Sequence, residues 1–281
     1  MILPPDYLNV PASELGRGTH VRVTIKTGMA SIGQAMADDL LEEIMRARDA
    51  GRDATLIVPV GPVEGFAILA EKLRQKKLPA RDVMFINMDE YLEPGGGWLP
   101  LTHPLSFRAF MNRSFYDRLE PALAPRVENR VFPDPARPGA IQDMIDSRGG
   151  VDACFGGIGI NGHVAFNEPP EPGESVSAAE FARRPTRVLS LSRETRTINS
   201  VTVGGDITLI PARVITVGMK EILAARRLRL YCNRVWQSAV ARRVLHGPVT
   251  SACPASLIRT HPDAWMTVAE YVATPPRIEL R

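Results

Sequence analysis

The sequence predicts an α/β fold: three α/β/α layers, Rossmann-like, with a mostly parallel sheet covered by helices on both faces. Three observations carry the prediction. Short β-rich runs alternate with longer helical patterns along the whole chain. The β-rich runs are continuously apolar rather than alternating, as strands buried on both faces are. And β/α alternation without a break is the pattern of a single layered sheet rather than of segregated strands and helices. The 281 residues are enough for one large domain or two small ones. The unbroken alternation favours one domain over 1–281.

The elements follow in order. A strand at 20–25 precedes a helix at 31–46, in which Ile32, Met36, Leu40 and Ile44 recur every fourth residue and form one apolar face. A strand at 54–59 runs into a helix at 63–74. A third strand, 83–88, stops abruptly at an Asp-Glu pair. Helices at 105–119 and 140–146 lead to a strand at 151–156. Strands at 187–191, 214–217, 228–232 and 264–268, with a helix at 236–245, complete the pattern. The Pro-, Gly- and Glu-rich stretch after residue 168 reads either as a lid, at about 169–200, or as an inert surface loop.

Composition narrows the function classes. The formal charge is +3, and the Arg pairs 183–184, 226–227 and 242–243 are short and scattered, so no nucleic-acid stripe is expected and the pairs read as solvated surface. The three cysteines form no CxxC pair, which argues against a zinc site or a disulfide framework. Residues 1–6 lack the charged and apolar regions of a signal peptide. No run approaches the roughly 20 apolar residues of a membrane helix. The expectation is a cytoplasmic protein that binds neither nucleic acid nor membrane, with homo-oligomerisation open.

Chemistry concentrates at three strand ends. The first is 156–169, Gly-Gly-Ile-Gly-Ile-Asn-Gly-His-Val-Ala-Phe-Asn-Glu-Pro. Its glycines allow a sharp turn and close approach to a ligand, Gly162 among them. His163 moves protons near neutral pH, and Glu168 orients the ring or carries its own charge. A hydrogen-bonded structural histidine in a common Gly-rich turn is the competing reading. The second is 85–91, where Asp89 and Glu90 point to opposite sides of an extended chain, so one faces the cleft. A desolvated carboxylate there serves as general base; a helix cap or surface turn is the alternative. The third is 57–65, a strand running into a helix start, where Gly61 and Glu64 lie at a place suited to anion binding.

Together these motifs resemble the glucosamine-6-phosphate deaminase/isomerase family. The matching stretches are 87–91 (Asn-Met-Asp-Glu-Tyr), 102–107 (Thr-His-Pro-Leu-Ser-Phe) and 157–169, with weaker matches at 195–200, 206–211, 215–218 and 256–262. The resemblance implies opening of an amino-sugar ring, a proton shift between C1 and C2, and loss of ammonia to give a ketose. It implies Asp89 as the proton shuttle, His163 as the ring-opening group, Glu168 as its support and Asn161 as the residue that tunes it. It implies no metal and no organic cofactor; the partner is a small sugar.

The phosphate end departs from the family. Members hold phosphate on a hydroxyl-rich Gly turn; here 60–64 reads Val-Gly-Pro-Val-Glu, without hydroxyls and with one N–H removed by Pro62. Glu64 either complements the helix dipole or repels a phosphate. Val201 stands where members carry arginine, and Gln237 where they carry lysine. Arg234 substitutes only with a shifted loop, and Arg193 and Arg196 are the other candidate cations. The expected substrate is therefore an amino sugar that is unphosphorylated or differently substituted, with phosphate held by another set as the alternative. His103 and Tyr91 read as structural, Trp98 as a rim or loop aromatic, and Trp236 as a wall at the phosphate end. Isomerisation without deamination, lactone hydrolysis on the same architecture and non-catalytic sugar binding are the competing functions. The first strand begins too soon for a helix-turn-helix to precede it.

Overall fold

A computed structural model describes residues 3–60 and 64–279. Among them, seven strands form one parallel sheet in the order β1-β10-β9-β6-β2-β3-β5. These are β1 (Arg22–Lys26), β2 (Thr55–Val58), β3 (Met84–Asn87), β5 (Arg130–Val131), β6 (Ala153–Gly156), β9 (Leu228–Cys232) and β10 (Ala264–Ala269). The helices are α1 (Gly28–Asp49), α2 (Glu64–Gln75), α3 (Phe107–Ser114), α4 (Ala140–Ser147), α5 (Ala178–Ala182), α6 (Arg193–Ser200), α7 (Met219–Leu223), α8 (Gln237–His246) and α9 (Glu270–Ala273).

Continuous apolar runs become the central strands. Every residue of β2, β3, β6 and β9 is buried. In α1 the predicted stripe Ile32, Met36, Leu40 and Ile44 is the buried face, and Val240, Ala241, Val244 and Leu245 do the same for α8. The first strand is an exception. It lies at the sheet edge, and apart from Val23 its residues are exposed.

Two expectations need correction. The strands predicted at 187–191 and 214–217 do not join the parallel sheet. As β7 (Arg187–Ser190) and β8 (Arg213–Thr216) they form a small antiparallel sheet with β4 (Asp89–Tyr91), in the order β4-β8-β7. Strand content was legible from β-branched residues, but sheet partnership depends on distant contacts such as Asp89 with Thr216. Second, Arg242 is not surface. Its guanidinium is fully buried and donates to the carbonyls of Val10, Ser238, Val272 and Ala273, tying both terminal regions to α8. Arg226 and Arg227 pair with Asp152 and Glu43. Among the described residues, no helix is long and apolar enough to cross a membrane. The 169–200 stretch carries α5, β7 and α6.

Candidate active site

The chemistry-bearing residues follow the carboxyl ends of β3, β2, β6 and β9, where parallel α/β sheets bind ligands. A cleft of about 270 Å³ crosses these ends. Asp89 follows β3, Pro59 and Val60 follow β2, Gly157 and His163 follow β6, and Asn233, Arg234, Trp236 and Gln237 follow β9. Three strand spacings, roughly 14 Å, separate the β3 end from the β9 end. The cleft therefore has an acidic pole at Asp89 and a basic pole at Arg234.

Asp89 is 6% exposed. Among the described residues its carboxylate has no hydrogen-bond or ion-pair partner, and burial, reinforced by the neighbouring Glu90 charge, pushes its pKa up to about 8. A desolvated carboxylate lining a cleft is a candidate for acid/base chemistry.

Glu90, expected to bind substrate, does not face the cleft. It is fully buried, and its carboxylate accepts from the backbone N–H of Tyr91, Phe107 and Arg108 and from Ser106 Oγ, each at 2.9–3.0 Å. Arg108 Nε lies 3.4 Å away. Glu90 is thus the negative cap of α3, and the helix-cap alternative is the one the structure adopts. The pleat sends Asp89 one way and Glu90 the other.

His163 is held by a network from its own loop and from α6. Asn161 Nδ2 donates to Glu168 and to Ser192 Oγ, which aims Asn161 Oδ1 at His163 Nδ1, 2.8 Å away. An amide oxygen can only accept, so Nδ1 carries the hydrogen and Nε2 of the neutral ring keeps its lone pair. Thr195 Oγ1 and Glu168 Oε2 lie 3.4 and 3.6 Å from Nδ1. Burial alone raises a carboxyl pKa; for Glu168, hydrogen bonds from His163, Thr195 and Asn161, and the charge His163 carries when protonated, reverse this and lower it to about 2. Replacing Asn161 by Leu removes the acceptor that aims the ring, and a misaimed group costs about 10²-fold. We expect kcat to fall by that amount with KM little changed, measured by steady-state kinetics; an unchanged kcat would leave Asn161 without a positioning role.

The glycine that shapes this site is Gly159 rather than Gly162. A Cβ on Gly159 would stand 2.0 Å from His163 Nε2, so the ring lies directly on the glycine. Gly162, expected at the substrate, has φ +91° and faces Cys253, 2.6 Å from its would-be Cβ; it makes the turn and does not line the cleft. Ala165, which does line it, also has positive φ, at 52°. The small sheet anchors this loop: Phe166 N donates to Thr216 Oγ1 and Asn167 Nδ2 to the Val217 carbonyl.

The remaining expected binding residues divide. Arg234 and Gln237 line the cleft. The Gln237 amide is already engaged, donating to the Ile158 carbonyl and accepting from Arg234 N, both at 2.8 Å. Arg196 does not reach the cleft, because its guanidinium donates to the Ile207 and Ile210 carbonyls. Glu64 does not line it either; it packs beside Gly33 of α1. Gly61 lies outside the described residues. Trp98 is no rim over the pocket: its Nε1 donates to the Pro133 carbonyl and Arg108 stacks on its ring. His103 Nδ1 accepts from Leu105 N, a turn contact. Sequence reading missed Asn199, Asn233, Phe107, Ser192 and Thr195. The last two carried a signal, since Ser-x-x-Thr marks the start of α6, where Ser192 caps Thr195 N.

No family model matches the chain. The glucosamine-6-phosphate deaminase of Arthrobacter sp. is 32% identical over 264 residues, covering 92% of this chain and 94% of that protein. The enzyme of that name from Streptomyces coelicolor is 32% identical, covering 89% and 88%. Among solved structures, a monomeric glucosamine-6-phosphate deaminase superposes with a TM-score of 0.77 at 24% identity, over 90% of this chain and 99% of that one. The 6-phosphogluconolactonase of Trypanosoma brucei gives 0.66 at 15% identity, over 91% and 98%, so the architecture is shared with lactonases.

Proposed function

The chain belongs to the glucosamine-6-phosphate deaminase family, and from that premise we propose that it converts an amino sugar to a ketose with release of ammonia, on a substrate without the usual phosphate. The observation that carries the reading is the desolvated Asp89 carboxylate, without a partner among the described residues. A protein cation beside it would fix it as a spectator. The ammonium of a 2-amino sugar brings the missing countercharge with the substrate, which favours ionisation of the base as the complex forms. A lactone offers no such charge.

Each group then has a step. His163 Nε2, whose lone pair is free, takes the anomeric hydroxyl proton and passes it to the ring oxygen as the bond from C1 to that oxygen breaks and the C1 aldehyde forms. Asp89 removes the C2 proton, made acidic by the adjacent carbonyl, and returns it to C1. The resulting C2 imine takes up water and loses ammonia, leaving the ketose. Glu168 and Asn161 keep the imidazole in the tautomer and orientation that opening needs.

Support for a changed far end is the spent or absent cation set: Val201 is exposed, the Gln237 amide is engaged, and Arg196 is committed to backbone carbonyls. Arg234 alone of the expected cations lines the cleft. We expect proton NMR to detect ammonia-coupled ketose formation from free glucosamine with a larger kcat/KM than from glucosamine 6-phosphate. A larger value for the phosphorylated sugar would overturn the altered far end; no ammonia from either amino sugar, with glucose converted to fructose, would leave an isomerase.

A further inference from the structure

A second cavity of about 360 Å³ lies beside the cleft. Val60, Phe107, Phe166 and Asn199 line both. Beyond this shared border, the walls of the annex are Tyr91, Leu105, Phe110 and Ile210. Phe107 and Phe166 stack with their planes 14° apart and centroids 6.2 Å apart, and Tyr91 lies against Phe107 at 4.8 Å.

Among the described residues no charged side chain lines the annex, and each of its polar side chains makes a hydrogen bond within the protein. Asn199 Nδ2 donates to Tyr91 Oη, Ser106 Oγ donates to Glu90, and Thr202 Oγ1 donates to the Asn199 carbonyl. The nearby guanidiniums of Arg108 and Arg196 are held elsewhere, on Glu90 and Trp98 and on the Ile207 and Ile210 carbonyls. At the outer edge, next in sequence to the lining residues Thr202 and Ile210, Val201 and Leu209 are 70% and 54% exposed. A chamber lined mainly by apolar side chains, with apolar residues beside it, offers favourable burial to an apolar group and no countercharge to a charged one.

We propose that this annex is a subsite for an aromatic or branched-alkyl group borne by the sugar at the end remote from C1 and C2. The proposal rests on the amino-sugar reading above. C1 and C2 must lie between Asp89 and His163. Val60 follows β2 and Asp89 follows β3, and these two strands are neighbours one spacing of about 4.8 Å apart. A sugar ring seated on Asp89 thus brings its far carbon towards the border the two cavities share, where an apolar substituent enters the annex between Val60, Phe107 and Phe166.

The probes are free glucosamine and its 6-O-benzyl ether, with affinity measured by calorimetry and turnover by ammonia release. We expect the benzyl ether to bind at least about ten-fold more tightly, from burial of the ring, and Phe110→Asp to erase that advantage. Leu105→Asp serves the same purpose if Phe110→Asp does not fold. Equal or weaker binding of the benzyl ether overturns the annex, as does an advantage that survives the Asp substitution. Absence of ammonia from both sugars overturns deamination instead, and the affinity ratio still decides the annex.

Discussion

Asp89→Asn is expected to lose about 10²–10⁴-fold in kcat, the usual contribution of a positioned acid/base group, and to melt at a higher temperature than the parent at pH 9. The two effects share one cause. The Asp89 carboxylate is buried, without a partner among the described residues, and its pKa is raised from 3.8 to about 8. Below pH 3.8 the folded and unfolded chains both hold the proton, and the full stability is present. Between 3.8 and about 8 only the unfolded chain releases it, so stability falls as pH rises. Above 8 both are ionised and the penalty is constant. Asparagine cannot ionise, so the stability gap between variant and parent opens across that window and saturates above it, at an order of a few kcal/mol. Melting curves at pH 5 and pH 9 read it directly. In the parent, kcat/KM rises with pH through about 8, because abstraction from C2 needs the carboxylate. Undiminished turnover by Asp89→Asn would remove Asp89 from proton transfer, and equal melting at pH 9 would mean the site is not desolvated.

Gly159→Ala is the second large effect, on a residue with no functional group. The added methyl would occupy the place of the His163 ring, 2.0 Å from Nε2 and 2.1 Å from Cε1. Contacts this short are not absorbed by small adjustments, because Nδ1 is held at 2.8 Å by Asn161. The ring has to leave, and it borders the open cleft, so the protein is expected to fold. We expect kcat to fall to the level of His163→Ala, about 10²-fold or more below the parent, and the double variant to lose nothing further, since the two changes remove the same interaction. Additive losses in that cycle would separate Gly159 from the placement of His163.

Reading the sequence recovered most of the central scaffold because apolar runs and helical periodicity are local. The 54–59, 83–88 and 151–156 runs are β2, β3 and β6 with slightly wider bounds, and the stripe at 31–46 lies within α1. The small antiparallel sheet escaped, since β4 is three residues long and polar at Asp89 and Glu90. The edge position of β1 escaped because strand order is a property of the whole sheet. At the site, Asp89, His163, Glu168 and Asn161 were legible from motif and residue chemistry, and the structure brings the last three into one network beside the cleft that Asp89 also lines.

By itself, then, the sequence determined which chemical groups are available, where the chain extends or coils, and which family it resembles. It also put Val60, Val201 and Gln237, none of them hydroxyl-bearing or cationic, in the stretches compared with that family. Only the tertiary structure decided how each group is used. Glu90 and Asp89 are neighbours of equal charge, yet one caps α3 and the other is left bare in the cleft. Arg196 and Arg234 have the same donors, yet only Arg234 lines the cleft. The physical reason is that a side chain's function follows from whether its hydrogen bonds and countercharges are met, and those partners come from distant segments.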